Sequence, residues 1–264
     1  MLTELSRQEA IKLLTQRYPY LMIFMVLAIQ TGNMLKQALT PPSTSLDIVT
    51  GPQQWGQGVG WGLQFSIFLI LVVGSMAISR EFSLGTIKTF LVLPIERRHW
   101  VGAKLLALVV FALLIVLTSV ILGLLVVALT LGWGDVVREG VVLYTSGQVW
   151  QNVLLAIGLT CLFVLPVCAL GLLVGSYFTS SGAAVGVTLM LWFVLGPVSD
   201  MLGLGKWSFS TYLTKAVDVV EKMGKGLPFQ WDALLYEGVP VSLVSFVVLS
   251  GWLVIRMDRK DITD

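Results

Sequence analysis

The side chains able to do chemistry in this 264-residue chain are few, and most of them fall in one stretch. Ser79–Lys104, SREFSLGTIKTFLVLPIERRHWVGAK, holds Arg80, Lys88, Arg97, Arg98 and Lys104, the acids Glu81 and Glu96, and the only histidine, His99. One histidine in a charged loop cannot assemble a metal centre, and neither HExxH nor GxSxG occurs. GTIKT at Gly85–Thr89 ends like a phosphate-binding loop but lacks its glycine spacing, so the chain is not expected to hold ATP itself. Cys161 and Cys168 stand two helical turns apart, too far for a disulfide, and read as small apolar packing groups. No catalytic residue, cofactor or metal ligand is expected, and the chain is not expected to be an enzyme.

The elements that position this stretch are apolar. Hydrophobic residues make up 56% of the chain and charged ones 12%, with a mean hydropathy of +0.87. Soluble domains carry about 25% charge, so the expectation is an all-α integral membrane protein, one transmembrane domain over residues 1–264. A bilayer crossing needs about 20 apolar residues, which places six spans near 20–37, 58–79, 103–131, 149–178, 183–203 and 239–256. Residues 3–17 read as a short interfacial helix with Ser6 and Glu9 at capping-box spacing, and their two acids argue against a cleavable signal peptide. Pro41, Pro42, Gly51 and Pro52 make 36–55 a loop, and GQGVGWG (56–62) opens the second span, its glycines offering either close helix contact or a flexible start. Residues 132–148 read as a polar loop, Pro166 as a kink, Gly171 and Gly175 as a small-xxx-small pair, and 179–182 as a tight turn.

Between the fifth and sixth spans, residues 208–225 form an amphipathic stripe too polar to cross: Phe209, Tyr212, Leu213, Ala216, Val217, Val220 and Met223 oppose Lys215, Asp218, Glu221 and Lys222. It reads as a helix in the interface, flanked by Trp207 and Trp231. Three Lys or Arg precede Pro19, five lie in 79–104 and three follow Ile255; the opposite side has Lys36, Arg138 and four in 206–225. The bias predicts cytosolic termini and an extracytoplasmic 208–225 helix. A net charge of +2, with loop-bound cations, argues against a nucleic-acid partner. Away from their ends the spans carry no Asp, Glu, Lys, Arg or His, the groups that ion- and proton-coupled carriers use. Energy is therefore expected from elsewhere, or not at all.

Within the charged stretch, Gly85–Thr86 is read as opening a short amphipathic helix that Pro94 stops. Glu81, at a span end, is expected to have a basic partner among Arg97, Arg98 and Lys104. The order Glu81, Gly85, Thr86, Ile87, Leu91, Pro94, Arg97, then Gly102 and Lys104, resembles the first cytosolic loop of the type-2 ATP-binding-cassette (ABC) permeases. That resemblance implies a six-span exporter subunit in the cell membrane, working with a second permease copy, alike or related, and a separate P-loop ATPase that holds ATP and Mg. It implies a coupling helix at Ser83–Pro94, with Glu81, Ser83, Leu84, Gly85, Thr86, Ile87, Lys88, Leu91, Pro94, Arg97 and Arg98 at the ATPase interface. It also implies that the external helix caps the path, with Phe209, Leu213, Val217 and Val220 as outer-gate candidates. Polar-poor spans favour an amphipathic cargo such as a peptide, an antibiotic or a lipid-like molecule. The alternatives are a membrane assembly or maturation factor, and an energy-independent channel subunit.

Overall fold

A computed structural model of the protein describes residues 6–9, 11–12, 15, 17–40, 49–85, 96–138 and 140–259. Residues 6–9 and 11–12 are helical, and the bundle follows: α1 (Arg17–Leu39), α2 (Gly51–Ser83) and α3 (Arg97–Thr130). A hairpin of β1 (Val136–Arg138) and β2 (Val141–Tyr144) leads to α4 (Ser146–Phe163), α5 (Leu165–Gly175) and α6 (Ser181–Met201). Two 3-10 turns, Gly205–Trp207 and Phe209–Thr211, precede α7 (Lys215–Gly224), and a π-helical turn (Ala233–Gly238) runs into α8 (Val239–Arg259). Among the described residues five helices are long and apolar enough to cross a membrane: α2, α3, the α4–α5 pair, α6, and α8 with its π turn. The architecture is that of an all-α membrane protein with one small hairpin.

Helix α2 is the centre, buried over most of its length and touching α1, α3, α5, α6 and α7. Small residues at several of its contact points let neighbouring backbones close in. Gly74 lies against Gly171, where a Cβ would stand 3.3 Å from the Gly171 Cα, and Ser75 lies against Gly175. The paired positions advance together, so α2 and α5 run parallel. Met34 of α1 covers Gly58, and Gln30 covers Gly62, so α1 runs antiparallel to α2. The small-xxx-small pair read from the sequence thus has its partner inside the chain. The 56–62 glycines serve close contact at Gly56, Gly58 and Gly62, while Gly60 faces open space.

Two buried glutamines tie α1, α2 and α3. Gln30 Nε2 donates to the Ser119 carbonyl at 2.8 Å and its Oε1 accepts from Ser119 Oγ at 2.6 Å. Gln54 Nε2 donates to the Met34 carbonyl at 2.8 Å, and its Oε1 accepts from Thr130 Oγ1 at 2.9 Å. Each amide uses both its donor and its acceptor, so neither is left unsatisfied in the apolar interior.

Several boundaries differ from the sequence reading. Helix α2 starts at Gly51 rather than near 58, because Thr50 caps it and Pro52 occupies its first turn, where a missing N–H costs nothing. The presumed polar loop at 132–148 contains the hairpin, closed at Gly140 with a left-handed φ of +79° that glycine tolerates. Pro166 breaks the fourth span into α4 and α5, joined at Val164. Residues 208–225 are not one helix: α7 begins only at Lys215. Nor does its apolar stripe face lipid. Ala216, Val217, Val220 and Met223 are buried against α2 and α4.

The α2–α5 seam has no room for a branched side chain. Gly175→Val should destabilise the protein by about 1–3 kcal/mol and show as lost monodisperse yield in detergent. Gly158→Ala, where a Cβ meets nothing within 4 Å, should not. Equal yields from both variants would contradict the seam.

Candidate functional site

The charged loop hangs between the C-terminus of α2 and the N-terminus of α3, and a buried ion cluster fixes both. Glu81 is 4% exposed and Lys104 3%. Glu81 Oε1 accepts from Lys104 Nζ at 2.8 Å and from Lys12 Nζ at 2.5 Å. Lys104 Nζ also reaches Glu9 Oε2 at 3.1 Å and lies 4.9 Å from the centroid of the Trp100 ring. Two carboxylates and two ammonium groups sum to zero, which allows the cluster to be buried. Burial pulls the Lys12 pKa down, but its hydrogen bond to Glu81 and the charges of Glu81 and Glu9 outweigh burial and Arg80, so it lies above the usual lysine value. Lys104, one of the three basic partners expected for Glu81, pairs with it. The bond to the N-terminal segment was not foreseen.

The other two arginines have different tasks. Arg97 Nη1 donates to the carbonyls of Met257 and Asp258, both at 3.2 Å, capping the end of α8. Arg98 Nε pairs with Glu96 at 2.7 Å on the surface. Arg256 stacks over Tyr177 in the turn between α5 and α6, 4.6 Å from the ring centroid. The same end therefore binds the N-terminal segment, α2, α3, the α5–α6 turn and α8 to one another.

Of the expected interface residues, Ser83 closes α2, its Oγ donating to the Arg80 carbonyl at 2.8 Å, and Leu84 is exposed. Gly85 stops α2, in the left-handed conformation at φ +66°, with its N–H bonded to the Phe82 carbonyl at 3.1 Å. Thr86, Ile87, Lys88, Leu91 and Pro94 lie outside the described residues, as does most of the expected 83–94 helix.

At the opposite end, the four gate candidates are core residues. Phe209 packs against Trp192, ring centroids 6.3 Å apart, and Leu213, Val217 and Val220 are buried. Helix α7 is fastened to the start of α2: Thr50 Oγ1 donates to the Gly224 carbonyl at 2.8 Å and Gln57 Nε2 to Glu221 Oε1 at 2.9 Å. A Cβ on Gly56 would stand 2.7 Å from the Glu221 backbone, and one on Gly224 would meet the backbone of Gln53. Any movement of α7 therefore takes the start of α2 with it. Trp231 Nε1 bonds Asn152 Oδ1 at 2.6 Å, tying the approach to α8 onto α4, while Trp207 is exposed. Asp218 on α7 is pushed up to about 6, first by burial and then by Glu221, against the opposing pull of Lys222, Lys215 and Lys225. Among the described residues no group of three or more His, Cys, Asp and Glu could hold a metal.

Two outcomes follow. Glu81→Gln leaves Lys104 and Lys12 with Glu9 as the one carboxylate of the cluster and should cost about 3 kcal/mol, read as earlier thermal unfolding in detergent. Adding Lys104→Gln should recover part of that loss, and strictly additive losses would deny the coupling. Asp218 is charged at neutral pH in a place that disfavours charge, so Asp218→Asn should raise the unfolding temperature above pH about 6. The gain should fade as pH falls to the ordinary carboxylate range, where the aspartic acid is neutral in both folded and unfolded chains.

No curated protein matches the chain. One family profile, described as a protein of unknown function, covers residues 13–263, from just after Lys12 to beyond the end of α8. On that match, which takes in nearly the whole bundle, the chain belongs to the DUF2705 family.

Proposed function

We propose that the chain is the membrane subunit of an ATP-driven exporter of the type-2 ABC permease kind, working with a second permease copy and a separate P-loop ATPase. The observation that carries this reading is the anchored loop. The connection whose residues resemble the family's coupling motif is held at its two roots by the buried Glu81–Lys104 pair. A force applied by a docked ATPase would pass through that pair into both α2 and α3, and through Lys12 and Arg97 into the N-terminal segment and α8.

Other features support the same reading. Helix α1, 23 residues and so about 35 Å long, runs antiparallel to α2 and suits a sixth span. With six spans both termini share the end richer in Lys and Arg, which favours a cytosolic setting for the 79–104 loop in the cell membrane. The span interiors offer no charge to couple an ion gradient. ATP and Mg would belong to the partner, and this chain would supply the path and the docking element. An amphipathic cargo fits walls of this composition.

The test is purification of the full-length chain from its native membranes. A stoichiometric P-loop ATPase should co-purify with it, and Leu91→Asp should lose that partner while the chain itself stays membrane-inserted and monodisperse. Retention of a fully active ATPase by Leu91→Asp would overturn the docking assignment. A chain that purifies alone and conducts ions without ATP would replace the transporter with a channel.

A further inference from the structure

Between α2, α6 and the segment leading into α7 lies a cavity of about 610 Å³, within the range of small-molecule sites, roughly 300–1,000 Å³. It sits at the end of the bundle away from the 79–104 loop. One wall is aromatic: Phe68 of α2 stacks on Phe193 of α6 with ring centroids 5.2 Å apart, and Trp192 lines it beside them. The polar lining includes Gln64 of α2, Asp200 near the end of α6, and Asp218 of α7. Among the described residues neither carboxylate has a lysine or arginine within ion-pair distance. Lys215 also reaches the lining, but its ammonium lies over the Tyr212 ring, 4.9 Å from the centroid.

Two unpaired carboxylates facing a partly enclosed space leave a deficit of positive charge there. Aromatic faces add to it, since the ring quadrupole presents its negative side to whatever lies against it. A neutral amphiphile would leave both carboxylates uncompensated, and an anion would be repelled. We propose that this cavity binds a lipophilic cation, with its apolar body against Phe68, Trp192 and Phe193 and its charge between Asp200 and Asp218. As a cargo site it rests on the transport reading above; as a binding site it does not.

The raised pKa of Asp218 agrees with a carboxylate that lacks its counter-charge. The charged groups around it are Glu221, Lys222, Lys215 and Lys225 on its own side and Asp200 across the cavity. Helix α2 presents the uncharged Gln57 and Gln64 here, and α4 carries no charged side chain. Occupancy by a cation should therefore weaken as pH falls below about 6 and Asp218 takes up a proton.

Full-length protein in detergent, without nucleotide, can be titrated calorimetrically with tetraphenylphosphonium and with tetraphenylborate, an anion of nearly the same shape. The phosphonium should bind saturably at pH 7.5 and at least about tenfold more tightly than the borate, the scale of one charge contact in a partly buried site. Asp218→Asn should lose about tenfold for the phosphonium alone, Asp200→Asn should lose in the same sense, and wild type at pH 5 should show the same weakening. Asp218→Asn is expected to be the more stable protein at pH 7.5, so its loss of binding would not be loss of fold. Equal affinity for the two ions, or phosphonium binding indifferent to both aspartate variants, would overturn the proposal. Charge-selective binding in a chain that carries no ATPase would keep the site and remove the exporter; a co-purifying ATPase without such binding would do the reverse.

Discussion

Everything in this bundle is referenced to a single helix that other backbones can touch. In a bilayer the hydrophobic effect does not drive helices together, because lipid tails are as apolar as leucine, so association rests on close packing and on polar ties. Helix α2 meets both conditions. Gly74 and Ser75 admit α5, Gly58 and Gly62 admit side chains of α1, and Gly56 admits α7. Gln30 and Gln54 add hydrogen bonds whose alternative, an unpartnered amide in hydrocarbon, is costly. Larger residues at these places would move every neighbour outward at once.

The two ends of the bundle treat charge in opposite ways. Around Glu81 and Lys104 the charges are buried and matched, a neutral group joining three segments distant in sequence. Such a cluster does little for net stability compared with apolar packing, yet removing one member is severe, so it fixes geometry more than it adds strength. At the other end Asp200 and Asp218 are unmatched and face open volume. Matched charge around Glu81 suits a fixed joint, and two carboxylates without an ion-pair partner among the described residues suit a ligand.

The membrane class was legible in composition alone, and the ends of most apolar runs fall within a few residues of the helices. Pro166 was legible because it acts on its own helix, and the Gly171/Gly175 pair because its four-residue spacing marks a contact face, though not the partner that meets it. The start of α2 was not, because a Gly- and Gln-rich segment reads as loop until its contacts with Met34 and Glu221 are known. The hairpin escaped for a similar reason: Val136–Arg138 and Val141–Tyr144 are too short to show a period. Glu81 announced itself as a carboxylate at a span end, but nothing local pointed to Lys12, 69 residues away. The cavity was invisible for the same cause. Gln64, Asp200 and Asp218 are unremarkable singly, and only the fold brings them to one space.

Helix α2 also has no proline after its first turn, and it runs unbroken from the contact at Gly56 to the ion cluster at Glu81. The 25 residue steps between them make about 38 Å of stiff rod, gripped at each end by different parts of the chain. A rod of that length neither stretches nor compresses appreciably, so the ends can communicate by angle. A tilt of about 5° would carry one end roughly 3 Å relative to the other at this rise per residue, a distance comparable to a hydrogen bond. Such a tilt would turn about the glycine seam, where Gly74 and Ser75 meet Gly171 and Gly175 of α5.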